Sequence, residues 1–401
     1  MDVLILFPDA FDRTSFAAVP GYRFHFVDGP ESHWRPTPGF DPLAYLARCR
    51  EVVRAHAVDA VLSTHDLGDF VAAILADELG LPGPGAEAVF LGLHKYYGRR
   101  RERSPVRCEA IRLDDPRPRV PGYPCYLKAP WLKLGLLGFK LESPADLERA
   151  LAVARREYPG WARQYAPLFR AHVDLARYPL AVEEILLVEE FVEGPQVTVE
   201  GWCRGGEPRP WAITDTNVYP GTRVIDNFSL PSRHPAAVRE ELARRAEEAI
   251  RAFGLRDGFW NIEFWCRPDG PVLTEVNCRS AASFAGLYEG CLGASIFAAV
   301  VELACGREPG RLPAPNGRVG GQFNVITFAE DRVANLVDLA ALPAASAFCL
   351  FRDPDEVVRP VSEFGTVLGQ IELFGESYEE IRAEAERLRR RLLRRPEASP
   401  W

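Results

Sequence analysis

The stretch that most constrains the fold is Gly258-Phe-Trp-Asn-Ile-Glu263-Phe-Trp-Cys-Arg-Pro-Asp-Gly270-Pro-Val-Leu-Thr-Glu275-Val-Asn277-Cys-Arg279. Two runs rich in aromatic and β-branched residues flank Arg267-Pro-Asp-Gly270. Proline presets φ and glycine admits the reversal, so the spacing predicts a β-hairpin. Side chains alternate faces along a strand. Asn261, Glu263 and Trp265 therefore share one face of the first strand, and Leu273, Glu275 and Asn277 one face of the second. The turn places Glu263 opposite Glu275 to within about one residue, depending on register. Like charges directly opposed destabilise a hairpin. Two carboxylates and an amide oxygen converging there make sense around a hard cation, and such oxygen donors suit Mg²⁺ shared with substrate phosphates. The hairpin by itself is equally compatible with a solvent-facing pair of acids.

The 401 residues are enough for two or three domains. A net charge of −8 argues against nucleic acid or an anionic membrane as the main partner. The arginine-rich end near 384–395 alternates with Glu and Leu, the pattern of a solvated helix face. No apolar run reaches membrane-spanning length, and no charged-then-apolar segment opens the chain. Nine cysteines lie scattered without a Cys-x-x-Cys pair, which points to free thiols in a reducing cytoplasm and against zinc.

Val3–Phe7, Tyr22–Val27 and Val58–Thr64 read as strands, and Pro42–Ala57 and Leu67–Leu79 as helices, the last stopped by Gly80. That alternation predicts a parallel α/β sheet over residues 1–85, closed by the rigid Leu81-Pro-Gly-Pro-Gly85. Residues 86–104 read as a strongly basic helix. Tyr126–Pro130 reads as a strand, followed by a loop at 131–138 and a strand at Phe139–Glu142. Ser143-Pro144 opens a helix as cap and first residue. Residues 159–184 read as irregular with helical patches. Ile185–Val188 and Gln196–Cys203 read as strands, 235–253 as a helix, and Ala281–Gly306 as a helix with a glycine break. The Pro/Gly-rich 307–317 marks a second boundary. Short strands at 321–328, 348–351 and 365–374 and a helix at 377–395 complete the chain.

Several sites fall in an informative order: Lys95, Lys128, the loop with Gly135 and Gly138, the segment Glu189-Glu-Phe-Val-Glu-Gly194, and the acidic hairpin. Two separated lysines can neutralise phosphates as point charges. A glycine-containing loop can approach phosphate with its backbone N–H groups. No Gly-x-x-x-x-Gly-Lys-[Ser/Thr] occurs, so this is a nucleotide site of another design.

In this order the motifs resemble the ATP-grasp superfamily of carboxylate–amine ligases over nearly the whole length. Glu275-Val-Asn277-Cys-Arg279 is similar to that family's Glu-Ile-Asn-Pro-Arg, and Gly258…Ile262-Glu263 to its Gly…His-Val-Glu. Leu187–Gly194 resembles its hinge, and Asp59-Ala-Val-Leu…Leu79-Gly-Leu-Pro-Gly83 the end of its N-terminal domain. Phe364-Gly…Gly369 and Gly375-Glu-Ser377 resemble the small closing domain of L-amino-acid ligases. The resemblance implies an α/β fold, α+β in parts: an N-terminal parallel α/β domain (1–85), a two-part nucleotide-binding domain (86–312) and a small C-terminal α+β domain (313–401). The lobes of the middle domain would run about 120–188 and 189–312. It implies ATP and Mg²⁺ (or Mn²⁺) as cofactors. Lys95 and Lys128 would bind phosphates, under a mobile loop at 131–138. Glu189 would face the adenine amino group, with the backbone of Glu190 and Val192 completing adenine recognition. Gln196 stands where many relatives hold the ribose with an acid. Glu263, Glu275 and Asn277 would hold the metal, and Arg279 the substrate carboxylate or the transferred phosphoryl group. Relatives are often dimers, and the sequence leaves the oligomeric state open.

Departures accompany the match. The loop Trp131-Leu-Lys-Leu-Gly-Leu-Leu-Gly138 is apolar where relatives carry Gly and Ser, and Cys278 replaces Pro. The implied reaction joins a small carboxylate, an amino acid or metabolite acid, to an amine through an acyl phosphate. Two rivals are a biotin-free carboxylase working through carboxyphosphate and a nucleotide-binding regulator without turnover. Plainer roles are open for several residues. Lys95 can be one more cation on a basic face, and Arg279 can pair with Glu263 or Glu275 as a structural ion pair. Arg223, Asn227 and His234 lie in a polar stretch that can simply face water. His65 and Asp66, at a sheet's carboxyl edge, are equally fit for ligand contact and for structure.

Overall fold

The computed structural model describes residues 1–401 apart from 31–35, 103–104, 133–134, 294, 311–315, 342–346, 360–364 and 401. Arg103, positions 133 and 134 of the expected phosphate loop, positions 311–315 of the Pro/Gly boundary at 307–317 and Phe364 of the C-terminal match therefore lie outside the described residues.

The chain opens with β1 (Asp2–Leu6), α1 (Ala10–Ala17), β2 (Arg23–Val27), α2 (Pro42–His56), β3 (Ala60–Ser63) and α3 (Asp66–Leu79). The strands pair in parallel in the order β2-β1-β3, as the alternation requires. Gly80 ends α3 in the left-handed conformation (φ +66°), which glycine adopts without a Cβ clash. The basic stretch forms two helices, α4 (Ala86–Leu93) and α5 (Lys95–Glu102).

A four-stranded antiparallel sheet follows, in the order β4-β7-β5-β6. Its strands are β4 (Cys108–Arg112), β5 (Cys125–Lys128), β6 (Phe139–Leu141) and β7 (Ile185–Glu190). Between β6 and β7 runs α6 (Pro144–His172), a 29-residue helix capped by Ser143. The stretch from 159, expected to be irregular with helical patches, is instead continuous helix as far as His172, through Pro159 and Pro167. Each internal proline costs a helix about 3 kcal/mol. Beyond Pro159, Trp161, Tyr165, Leu168 and Phe169 are buried at helical spacing. Burying each such side chain stabilises by roughly 1.5–3 kcal/mol, which outweighs the two prolines.

The largest sheet has eight antiparallel strands in the order β12-β11-β8-β9-β10-β13-β17-β15. They are β8 (Gln196–Arg204), β9 (Glu207–Val218), β10 (Ile225–Leu230), β11 (Gly258–Arg267), β12 (Gly270–Asn277), β13 (Val319–Thr327), β15 (Ala347–Leu350) and β17 (Thr366–Gly375). A two-stranded ribbon pairs β14 (Asp331–Arg332) with β16 (Val357–Val358) around α10 (Val333–Leu336). Helices α7 (Ala236–Phe253), α8 (Ala285–Leu292), α9 (Ile296–Ala304) and α11 (Tyr378–Leu392) complete the fold. Strands β4, β9 and β10 were not anticipated: their polar residues conceal the period-2 pattern. Past residue 313 the chain adds β13, β17 and β15 to the same sheet that carries the hairpin. On the hairpin's first strand Trp260 is fully buried opposite Gly201. A Cβ at 201 would lie 2.1 Å from the Trp260 ring, so glycine is required there by close approach.

Arg389 fastens α11 to the sheet. It is 1% exposed, with Nη1 2.6 Å from Asp226 Oδ1 and Nη2 donating to the Asp226 carbonyl at 2.8 Å. The rings of Tyr219 and Phe323 lie 5.3 and 5.6 Å from its guanidinium carbon. Removing one member of such a pair strands the other charge in the interior. Arg389→Met is expected to lower the unfolding free energy by about 3–5 kcal/mol in urea titration. A loss below about 1 kcal/mol, the range of an exposed pair, would contradict this account.

Candidate nucleotide and metal site

The hairpin of β11 and β12 sets the site's floor. Arg267 pairs with Gly270 across the turn and Phe264 with Leu273, but Glu263 pairs with Glu275 and Asn261 with Asn277. Thr274 is therefore an extra, unpaired residue, a β-bulge. Without it Glu263 would face Thr274, and Glu275 would point to the other side of the sheet. The bulge also corrects one expectation: Leu273 shares a face with Phe264, away from Glu275 and Asn277, and both apolar side chains are buried.

The opposed acids are held by neighbours. Burial, reinforced by the charge of Glu275, pushes the Glu263 carboxyl well above the usual carboxylate range. Gln196 Nε2 donates to Glu263 Oε2 at 2.7 Å, so the amide expected at a ribose is engaged with the acid pair. Neighbouring strand pairs, Trp265 with Gln196 and Glu263 with Thr198, bring it there. Lys95 Nζ lies 3.1 Å from Glu275 Oε2 and donates to the Leu132 carbonyl at 2.7 Å. Lys95 is thus directed at the acids, on the first turn of α5.

Lys128, at the end of β5, lies 2.6 Å from Glu189 Oε2. Arg99, a residue the sequence reading missed, pairs with the other oxygen of Glu189 and with Glu102, and donates to the Leu273 carbonyl beside the bulge. One buried guanidinium thus joins the segment expected to hold adenine to the acidic hairpin. Its only sequence signal was its place on a basic helix, one turn after Lys95. Burial would raise the Glu189 pKa, but Lys128 and Arg99 outweigh it and hold the carboxyl at about 2. Burial, only partly offset by Glu189, lowers the pKa of Lys128.

The Glu189 carboxylate is thereby turned to two cations. The Glu190 N–H donates to the Arg107 carbonyl at 2.9 Å, which commits that donor to the sheet. Val192 lies past the strand end, outside the ladder. Between them, Phe191 has Lys140 4.9 Å and Arg223 4.2 Å from its ring centroid. Gly135 is left-handed (φ +68°), and a Cβ on Gly138 would lie 2.4 Å from the Tyr126 hydroxyl. Both positions thus require glycine.

Arg279 pairs with Asp66, the first residue of α3, rather than with Glu263 or Glu275. Burial would lower its pKa, but Asp66 and the nearby Asp69 raise it. Asp12, which accepts from the Thr64 hydroxyl at 2.8 Å, lies close by and is pushed up to about 6 by burial. His65 stacks on Phe7 with ring centroids 5.3 Å apart. Asn227 is buried in β10 and donates to Asp226 and to the Tyr378 hydroxyl, so it serves the sheet. His234 lies past β10, where its N–H donates to the Ser232 hydroxyl at 3.3 Å.

Among the described residues no group of three or more His, Cys, Asp or Glu side chains gathers as a metal cluster. The hairpin offers two carboxylates and one amide. Asn277 Nδ2 donates to Asn261 Oδ1 at 3.3 Å, which leaves the Asn277 oxygen as its remaining donor to a cation. This all-oxygen set fits Mg²⁺ or Mn²⁺ completed by phosphate oxygens and water.

No protein-family model matches the chain. Among curated proteins it is similar to carnosine synthase 1 of Gallus gallus, 28% identical over 332 residues. The match covers 75% of this chain and 34% of that protein, so the chain spans about a third of its relative's length. Among solved structures it is similar to the L-amino acid ligase of Bacillus licheniformis, with a TM-score of 0.73, 16% identity and coverage of 98% and 97%. An N5-carboxyaminoimidazole synthase of Aspergillus clavatus, in complex with ADP, superposes with a TM-score of 0.68, 15% identity and coverage of 97% and 98%. A phosphoribosylglycinamide synthetase of Anaerococcus prevotii gives 0.64 at 15% identity, covering 98% of each chain. The chain has the ATP-grasp fold.

The charge on Glu189 carries a pH signature. Its folded pKa is depressed from the ordinary 4.5 to about 2, so its stabilising contribution is full above pH 4.5 and is lost as pH falls towards 2. The stability difference between wild type and Glu189→Gln, read from urea midpoints, should shrink by roughly 3 kcal/mol between pH 6 and pH 2. A difference that stays constant over this interval would show that Lys128 and Arg99 do not hold the charge.

Proposed function

We propose that the chain is an ATP-dependent carboxylate–amine ligase that forms an amide or peptide bond through an acyl phosphate. The observation that carries the reading is the in-register pair Glu263 and Glu275 with Asn277 beside it and Lys95 against it. Opposed carboxylates cost stability in a hairpin and are explained by a cation that binds between them. The relatives support the substrate class: by name one makes carnosine and another ligates L-amino acids. The carboxylate donor is accordingly an amino acid or a small metabolite acid.

A carboxylate is a poor acyl donor because its leaving group would be oxide. Attack of its oxygen on the γ-phosphorus of ATP breaks the bond to the β–γ bridging oxygen and releases ADP. The carboxylate oxygen is then part of a mixed carboxylic–phosphoric anhydride, from whose acyl carbon phosphate is a competent leaving group. The amine attacks the acyl carbon, phosphate departs, and the amine loses a proton. Mg²⁺ on Glu263, Glu275 and Asn277 would supply positive charge to the phosphates.

The chain's own residues position and neutralise. Lys95 and Lys128 bring ammonium groups to the phosphate region. Lys128 would exchange part of its pairing with Glu189 for phosphate. Arg279, steadied by Asp66, would hold the substrate carboxylate or the transferred phosphoryl group. The acyl phosphate hydrolyses in water, so the apolar segment 131–138 suits a lid that excludes it.

Phosphate release should be measured with ATP and Mg²⁺ across amino acids taken singly and in pairs, with bicarbonate as a further arm. Release that needs two substrates, with a product mass equal to their sum less water, is the expected result. Glu275→Ala should stay folded and lose about 100-fold or more of this activity. Equal activity in variant and wild type would overturn the metal assignment. Release with bicarbonate alone would favour a carboxylase. ADP binding without release under any substrate would favour a regulatory protein.

A further inference from the structure

Two rows of directly opposed residues cross the same face of the large sheet. One is Thr198, Glu263 and Glu275; the next is Glu200, Asn261 and Asn277, on β8, β11 and β12 respectively. The second row is a chain of polarised bonds. Asn277 Nδ2 donates to Asn261 Oδ1 at 3.3 Å, and Asn261 Nδ2 donates to Glu200 Oε1 at 3.3 Å. The same Oε1 accepts from the Ala281 N–H at 2.8 Å, in the turn that follows Arg279. Glu200 itself is fully buried.

An amide has one accepting and one donating end, and its orientation is set by what each end meets. An acceptor at Glu200 draws the NH₂ of Asn261 towards β8. The oxygen of Asn261 then faces β12 and draws the NH₂ of Asn277, so the oxygen of Asn277 is left for a cation. If Asn261 were reversed, its NH₂ would face Asn277 and draw that oxygen inward, away from the acid pair.

We propose that Glu200 is a positioning residue whose Oε1 fixes the amide directions of Asn261 and Asn277, and with them the orientation of the metal-binding oxygen, while it pins the turn after Arg279. The proposal rests on the metal assignment made above and deepens it. Burial pushes Glu200 up to about 8, so at neutral pH it is largely an uncharged acid whose carbonyl oxygen does the accepting. A glutamine offers the same oxygen at the same reach.

The test is Mn²⁺ titration of the full chain with ADP present, followed by electron paramagnetic resonance. ADP binding without metal is measured alongside by calorimetry. Glu200→Leu and Asn261→Leu should weaken Mn²⁺ binding about 10–100-fold, the usual effect of losing a group that orients a metal ligand. Metal-free ADP binding should not change, and Glu200→Gln should bind Mn²⁺ close to wild type. Rescue by glutamine separates orientation from mere packing, and that variant remains informative if a leucine variant fails to fold. Wild-type affinity in a folded leucine variant, or a glutamine variant as weak as the leucine ones, would overturn the proposal. Absence of Mn²⁺ binding by the wild type would overturn the underlying metal assignment instead.

Discussion

The repulsion between Glu263 and Glu275 is the constraint on which the site depends. Two half-buried carboxylates directly opposite in a hairpin disfavour the fold that holds them. Their surroundings read as compensation. Lys95 sits against Glu275, Gln196 donates to Glu263, and Arg279 contributes charge from the following turn. The compensation is incomplete, since burial and the charge of Glu275 still hold the Glu263 carboxyl above the usual carboxylate range. The cation proposed to bind between the two acids would relieve what remains of the repulsion.

The bulge at Thr274 converts sequence spacing into that opposition, and Arg99 secures it from the side by donating to the Leu273 carbonyl. Through Glu189 the same arginine reaches the strand that leads into the expected adenine segment. A displacement of that strand would therefore be felt at the acid pair through one rigid, planar group. The N-terminal parallel sheet enters in a similar way. Asp66, where β3 passes into α3, meets Arg279, so this sheet's carboxyl edge forms one wall of the same site.

Legibility followed the physics of each element. The parallel sheet, the hairpin and the capped helices announce themselves through periodicity and end signals. The later half of α6 was hidden because proline is a local signal against helix, whereas the aromatic burial that overrides it depends on residues distant in the chain, with Phe70 and Phe90 against Phe169 and Trp131 stacked on Tyr165. Strands β9 and β10 were hidden by polar residues such as Asn217, Asn227 and Ser229. These bond to one another and to Tyr378 inside the fold instead of facing water. At the site, Lys95, Lys128, Glu263, Glu275, Asn277 and Arg279 are visible as charges in motif order. Arg99 and Glu200 are not, because each works through partners far away in the chain.

The sequence by itself determined the types of group present and their order: oxygen donors on a hairpin, lysines before it, glycines where the backbone turns left-handed or meets a ring. These follow from residue chemistry and from local backbone preference. Only the tertiary structure decided which groups meet. A one-residue bulge chose the face of Glu275, neighbouring strands gave Gln196 to Glu263 and Asn261 to Glu200, and a helix from the first sheet gave Asp66 to Arg279. The reason is that strand register and long-range pairing are fixed by the packing of the whole sheet, and single-residue differences there reverse the direction in which a side chain points.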